Sequence, residues 1–365
     1  MKLLPLCLLL VFYALSSPGQ HLRPGFDPKE YEELMLITGR QSDTPWHDTY
    51  LPAPVSHLVY RAPVTGLHNR WDLWITPDNV GVISIRGTIG EVESWMENFY
   101  AGMIAPAGTL HLNDSTDFHY KVAKDSSAYV HVGWMIGVGS MAPDIVRHIK
   151  ECYRQGIHEF IIMGHSQGGA IAFLLRSYLG YLDDPDMPKD IVYKTYCSAA
   201  PKPGNLYYAY DFDDLTRNGW AFRVVNARDW VPETPFSLQT TNDFNTINPF
   251  SRIKPILKQQ KIPVRWALGY MYGRLNGSSR RASRRMARTL GPTLGKRVHK
   301  AMPGYVQPHF MQSNAYMTAG SPVILQPDAG YYARFPFDGK NLFVHHALKP
   351  YLYLLHKQYG TGFTE

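Results

Sequence analysis

One stretch constrains the fold of this chain more than any other. Phe160-Ile161-Ile162-Met163 leads directly into Gly164-His165-Ser166-Gln167-Gly168-Gly169, and Ala170-Ile171-Ala172-Phe173-Leu174-Leu175 follows. A short apolar run bounded by glycine reads as a buried strand, and the apolar stretch after it reads as a helix. The turn between them is so tight that the two backbones nearly touch, and this demands small residues at Gly164 and Gly168. Gly169 relieves crowding where the helix begins. A serine at such a turn is presented as a nucleophile, beside helix N–H groups whose dipole favours negative charge.

The surrounding pattern extends this unit. Strand-like runs occur at His57 to Pro63, Trp71 to Thr76 and Val80 to Arg86, separated by Gly, Asn and Pro-Asp turn signals. Three βα units follow: Phe160–Met163 with a helix over 167–181, Val192–Cys197 with a helix over 204–217, and Phe222–Val225 with its loop. The alternation predicts the α/β class, with a mostly parallel central sheet covered by helices. Further helices are expected over Asp27 to Thr38, over 92–104 and from Val132 to Tyr153. Gly137, Gly139 and Pro143 are expected to delay or kink the start of the last.

The first 19 residues read as a secretory signal. Lys2 supplies the positive end, Leu3 to Leu15 form an uncharged apolar run of 13 residues, and Ser16, Ser17 and Gly19 offer cleavage points. Thirteen residues are short for a bilayer span. An exported protein, secreted or periplasmic, is therefore expected, with residues 20–365 forming the mature domain. Its two cysteines, Cys152 and Cys197, are placed by the βα pattern toward opposite edges of the sheet. Buried free thiols are expected there rather than a disulfide.

The formal net charge of +7 conceals a segregated distribution. No Asp or Glu occurs between Phe244 and Pro327, and residues 251–305 hold 14 Lys or Arg. The rest of the chain carries 23 basic against 30 acidic residues and is net −7. The basic block, within an inserted segment at about 250–307, reads as two or three helices. One begins with Pro263 at its first position and has an apolar stripe of Val264, Leu268, Met271, Tyr272 and Leu275. A second gathers Arg280, Arg281, Arg284, Arg285 and Arg288 on one face within about 140°, with Ala282, Met286 and Leu290 opposite. Such a face suits peripheral contact with an anionic membrane surface. Nucleic acid is not an expected partner, since no recognised nucleic-acid motif accompanies the arginines.

A serine nucleophile needs a base, and the base needs an acid to orient it. In α/β-hydrolase sheets the chain order is serine, acid, histidine. Arg223-Val224-Val225-Asn226-Ala227-Arg228-Asp229 offers an acid just past a strand end, with Asp211, Asp213 and Asp243 as alternatives. His345 and His346 precede a terminal helical stretch, while His309 and His356 are further candidates.

Four ordered segments carry a family resemblance. They are Val82-Ile83-Ser84-Ile85-Arg86-Gly87-Thr88 with Trp95 after it, Val130-His131-Val132-Gly133-Trp134, the Ser166 turn, and Asn226 to Pro232. Together they resemble the fungal-type class 3 lipases of the α/β-hydrolase superfamily. The resemblance implies a Ser166–Asp229–His346 triad. It favours His346 over His345 because the family's histidine is commonly followed five residues on by an aromatic, here Tyr351. It also implies an oxyanion hole from Thr88 and the backbone N–H of Gln167, no metal or organic cofactor, and hydrolysis of lipid esters. Residues 92–104 are then expected to form a lid helix exposing Trp95, Met96, Phe99 and Met103. The chain departs from the pattern in placing Asp229 and His346 117 positions apart, with the basic block between them. Two other readings of the same shell are a non-catalytic lipid- or surface-binding protein and an esterase for phenolic esters.

Overall fold

The computed structural model describes residues 20–41 and 51–361. The expected signal segment lies outside them. Strands β1 (His57–Arg61), β2 (Trp71–Ile75) and β3 (Gly81–Ile85) form an antiparallel run, following helix α1 (Pro28–Thr38). Asp27 caps α1, its carboxylate accepting from the N–H groups of Lys29 and Glu30.

Helix α2 (Val92–Phe99) comes next. It is followed by β4 (Met103–Ile104), the hairpin β5 (Ala107–Asn113) and β6 (Thr116–Lys121), and β7 (Val130–His131). Then come α3 (Val132–Arg154), β8 (Glu159–His165), α4 (Gln167–Tyr181), β9 (Val192–Ser198), β10 (Gly204–Asn205), α5 (Leu206–Leu215) and β11 (Ala221–Asn226). The basic block folds as α6 (Ile253–Lys258), α7 (Ile262–Arg288) and α8 (Leu294–Ala301). The chain closes with β12 (Tyr316–Met317), β13 (Ser321–Leu325), α9 (Ala329–Arg334) and α10 (Leu348–Tyr359).

The main sheet has the order β1-β2-β3-β8-β9-β11-β13, parallel from β3 onward, as the βα alternation predicts. Residues alternate between its faces along each strand. Ile83, Ile85, Phe160 and Ile162 pack with α3 and α4 on one side, whereas Val82, Ile161 and Met163 pack with α1 and α10 on the other. With both sheet faces covered, β3 and β8 are buried at every position and largely apolar. Cys152 and Cys197 are free and buried, as expected.

Three expectations need correction. Helix α2 stops at Phe99, and Met103 is a buried residue of β4 paired with β7, so a helix does not run to 104. Helix α3 starts at Val132 without delay, because Gly133 and Gly137 sit where α3 presses closest to Glu97 of α2. The first two basic helices are one, α7, of 27 residues, with Pro263 at its second position rather than its first. Its buried residues are Ser283 and Ala287, while Ala282 is exposed and Met286 and Leu290 are half-buried.

Candidate active site

Ser166 occupies the turn between β8 and α4 with φ 62° and ψ −131°, a conformation that costs a non-glycine residue on the order of 1–3 kcal/mol. The surroundings over-determine it. The Ser166 N–H donates to the Ser198 carbonyl at 2.9 Å, tying the turn to β9. A Cβ on Gly164 would lie 2.1 Å from the Gly168 backbone, and one on Gly168 would lie 2.3 Å from the Ile85 carbonyl oxygen. Only glycine lets β3, β8 and α4 meet here.

Asp229 follows the end of β11 and is buried. One carboxylate oxygen lies 2.7 Å from His346 Nδ1 and accepts from the Tyr351 hydroxyl at 2.7 Å. Its other oxygen accepts from the Val231 N–H at 3.0 Å. His346 sits on the turn before α10, and its carbonyl lies 2.8 Å from His165 Nε2. Ser166 and His346 line the same pocket. His345 turns elsewhere: its Nδ1 lies 2.8 Å from the Tyr331 hydroxyl, and its carbonyl accepts from Asn226.

The remaining candidates are engaged away from the serine. Asp211 accepts from the Lys124 N–H, Asp213 from the Gly320 N–H, and Asp243 from Thr240 and Ser313. His356 pairs with Glu32, and His309 is exposed.

Thr88 and Gln167 border the same pocket. Asn98 Nδ2 donates to Thr88 Oγ1 at 2.8 Å, which leaves the threonine proton to point away from Asn98. Trp134 Nε1 in turn donates to the Asn98 side-chain oxygen Oδ1 at 3.0 Å. Gln167 opens α4, where a backbone N–H has no partner within the helix. The cavity holds about 690 Å³ and is walled by Trp95, Phe99, Trp230, Phe236, Leu290 and Phe343. An apolar cleft with a few converging polar groups is the usual form of a small-molecule site.

Residues 82–239 match the family model described as Lipase (class 3). Over that stretch the chain is similar to the class 3 lipases. The chain is 27% identical over 235 residues to the secreted mono- and diacylglycerol lipase MDL2 of Malassezia globosa, covering 62% of this chain and 70% of that one. It is 24% identical over 187 residues to the triacylglycerol lipase OBL1 of Ricinus communis, covering 43% of this chain and 35% of that one. A solved fungal lipase–inhibitor complex aligns at TM-score 0.42 and 16% identity, over 58% of this chain and 77% of that one. The matched segment and the lipase-named relatives support a carboxylic ester hydrolase.

Several residues of this candidate site were not anticipated from sequence. Glu97 is buried on the inner side of α2, and its carboxylate accepts from Gln167 Nε2 at 2.9 Å. Burial holds that carboxyl well above the usual range, with Asn69 opposing the shift. Asn98 was also missed, since neither residue belongs to a local motif and their partners, Gln167 for Glu97 and Thr88 and Trp134 for Asn98, are brought in by the fold. The same burial pushes His165 down to about 3, with the neighbouring His346 adding to the shift. His131 is held at about 3 by burial. Its Nδ1 accepts from the Trp134 N–H, so the proton sits on Nε2, 3.1 Å from the Asn98 carbonyl. Helix α2 is therefore anchored through Ser94, Glu97 and Asn98, while Trp95 and Phe99 face outward at the pocket rim. Met96 packs against the core instead of joining that rim.

Proposed function

We propose that this chain is an exported serine hydrolase that cleaves carboxylic esters of lipids through an acyl-enzyme. The observation that carries this reading is the Ser166 turn at φ 62°, sharing one pocket with a His346 ring that Asp229 holds at 2.7 Å. Ser166 Oγ attacks the ester carbonyl as His346 takes its proton. Asp229 orients the ring and stabilises the imidazolium, and His346 then returns the proton to the departing alcohol. The oxyanion is received by the Gln167 N–H and by Thr88, each donor contributing on the order of 3 kcal/mol. Water, deprotonated by His346, then releases the acid and regenerates Ser166.

A lipid acyl chain is supported by the aromatic and aliphatic walls of the pocket. The names of the relatives, a mono- and diacylglycerol lipase and a triacylglycerol lipase, agree with acylglycerols as the substrate class. Export is supported by the apolar run Leu3 to Leu15 and by a relative named as secreted. Arg280, Arg281, Arg284, Arg285 and Arg288 are all exposed and would meet an anionic membrane surface at about 1 kcal/mol per residue.

Ser166→Ala is expected to abolish hydrolysis of short p-nitrophenyl esters while leaving the circular dichroism spectrum unchanged. Undiminished turnover in that variant would sink the assignment. A panel of acyl lengths and headgroups, read as kcat/KM, then defines the preferred ester.

A further inference from the structure

Helix α7 carries an apolar ridge that the hydrolase body does not cover. Every residue from Ile262 to Leu268 is exposed, and the buried residues Ser283 and Ala287 lie in the second half of the helix. Ile262, Trp266 and Tyr270 are 71%, 75% and 69% exposed. At about 100° per residue these three fall within about 80° of arc, inside the span of about 140° taken by the five arginines. Apolar residues at the start of α7 and cations at its end therefore share one face. Arg274 lies between them, its guanidinium 6.0 Å from the Tyr270 ring.

The chemistry of this face indicates what it meets. Trp and Tyr next to arginine match the chemistry of a membrane–water interface, where aromatic rings sit at headgroup level and cations reach phosphate. No Asp or Glu occurs between Phe244 and Pro327, so a second copy of the same helix offers nothing to neutralise the arginines. No helix among the described residues is long and apolar enough to cross a membrane, so α7 would lie in the surface. Just beyond its arginine end, Leu290 lines the catalytic pocket together with the exposed Phe99 and Phe236.

We propose that α7 is an interfacial anchor lying in an anionic bilayer surface. Ile262, Trp266 and Tyr270 enter the headgroup region, and Arg280, Arg281, Arg284, Arg285 and Arg288 hold lipid phosphates. This deepens the lipid-ester reading and rests on it for its purpose, since the anchor holds the pocket rim where acyl chains are found. The apolar ridge adds a component of binding that salt does not screen, unlike the arginine contacts.

The test uses the full chain with vesicles of phosphatidylcholine alone and of an equal mixture with phosphatidylglycerol. The parent is expected to sediment with the mixed vesicles and to keep a residual fraction bound in high salt. The double variant Trp266→Ala/Tyr270→Ala is expected to bind about tenfold more weakly and to lose the salt-resistant fraction. Its turnover of soluble p-nitrophenyl esters should match the parent's. In a Trp266→Phe variant the vesicle-induced blue shift of tryptophan emission should shrink. Equal vesicle binding by parent and double variant would overturn the proposal. So would a lipid-free dimer of the parent that the double variant dissolves, because the ridge would then be a contact between copies. A parent that binds vesicles but turns over no ester would instead defeat the catalytic reading and leave the anchor standing.

Discussion

At the scale of single residues, Thr88 and Glu97 carry the most specific expectations. Thr88 Oγ1 accepts from Asn98, so its hydroxyl proton is not used in that bond, and Thr88 lines the pocket that Ser166 shares. Thr88→Val keeps the backbone N–H and removes that donor. We expect kcat for a soluble ester to fall about 100-fold with little change in KM, as for loss of one oxyanion donor. An unchanged kcat would remove the hydroxyl from the mechanism. Glu97 is a buried acid whose folded form favours the proton, so the native state binds more protons than the unfolded chain above the ordinary value of 4.5. Stability should therefore fall as pH rises through the window above 4.5, by up to about 1.4 kcal/mol per pH unit. Glu97→Gln should flatten that slope; denaturant titrations at stepped pH giving the same profile for both proteins would contradict it. His131 and His165 act in the opposite sense. Both are buried neutral with values near 3, so stability is also lost as pH drops below 6.5.

At the scale of elements, the crossing of β3, β8 and α4 is where sequence and geometry are most tightly bound. A Cβ at residue 168 would stand 2.3 Å from the Ile85 carbonyl oxygen, which β3 cannot move without breaking its ladder to β8. Gly168→Ala should cost about 3 kcal/mol or more and lower the melting temperature accordingly. A variant melting with the parent would mean that the turn is looser than described. This crossing was legible in the sequence because a strand, a glycine-flanked serine and a helix are all local signals. So were the neighbouring strands and the capped α1. Helix α7 was not legible as one element, since Asn276-Gly277-Ser278-Ser279 reads as a break. Tertiary contact overrides that propensity. The Asn276 side-chain oxygen accepts from Thr241 at 2.8 Å, while Ser279 bonds back to the Asn276 carbonyl within the helix. The end of α2 was misread for a similar reason. Met103 continues the apolar spacing of the helix, but it is recruited into β4 by pairing with His131 of β7.

At the scale of the whole molecule, the parts meet around one pocket. The sheet presents Ser166, the loop after β11 presents Asp229, and the turn before α10 presents His346. Helix α2 brings Trp95 and Phe99 to the rim, and the turn after α7 brings Leu290. The pairing of His346 with Asp229 across 117 positions required the fold, because sequence order alone left His345 and three other aspartates open. The most direct measurement of the central claim is labelling with a fluorophosphonate, which phosphonylates an activated serine, followed by peptide mass spectrometry. A single adduct on Ser166, lost in Ser166→Ala and strongly slowed in His346→Ala, is the predicted result. An adduct on another serine, or no adduct in a protein that still hydrolyses esters, would contradict it.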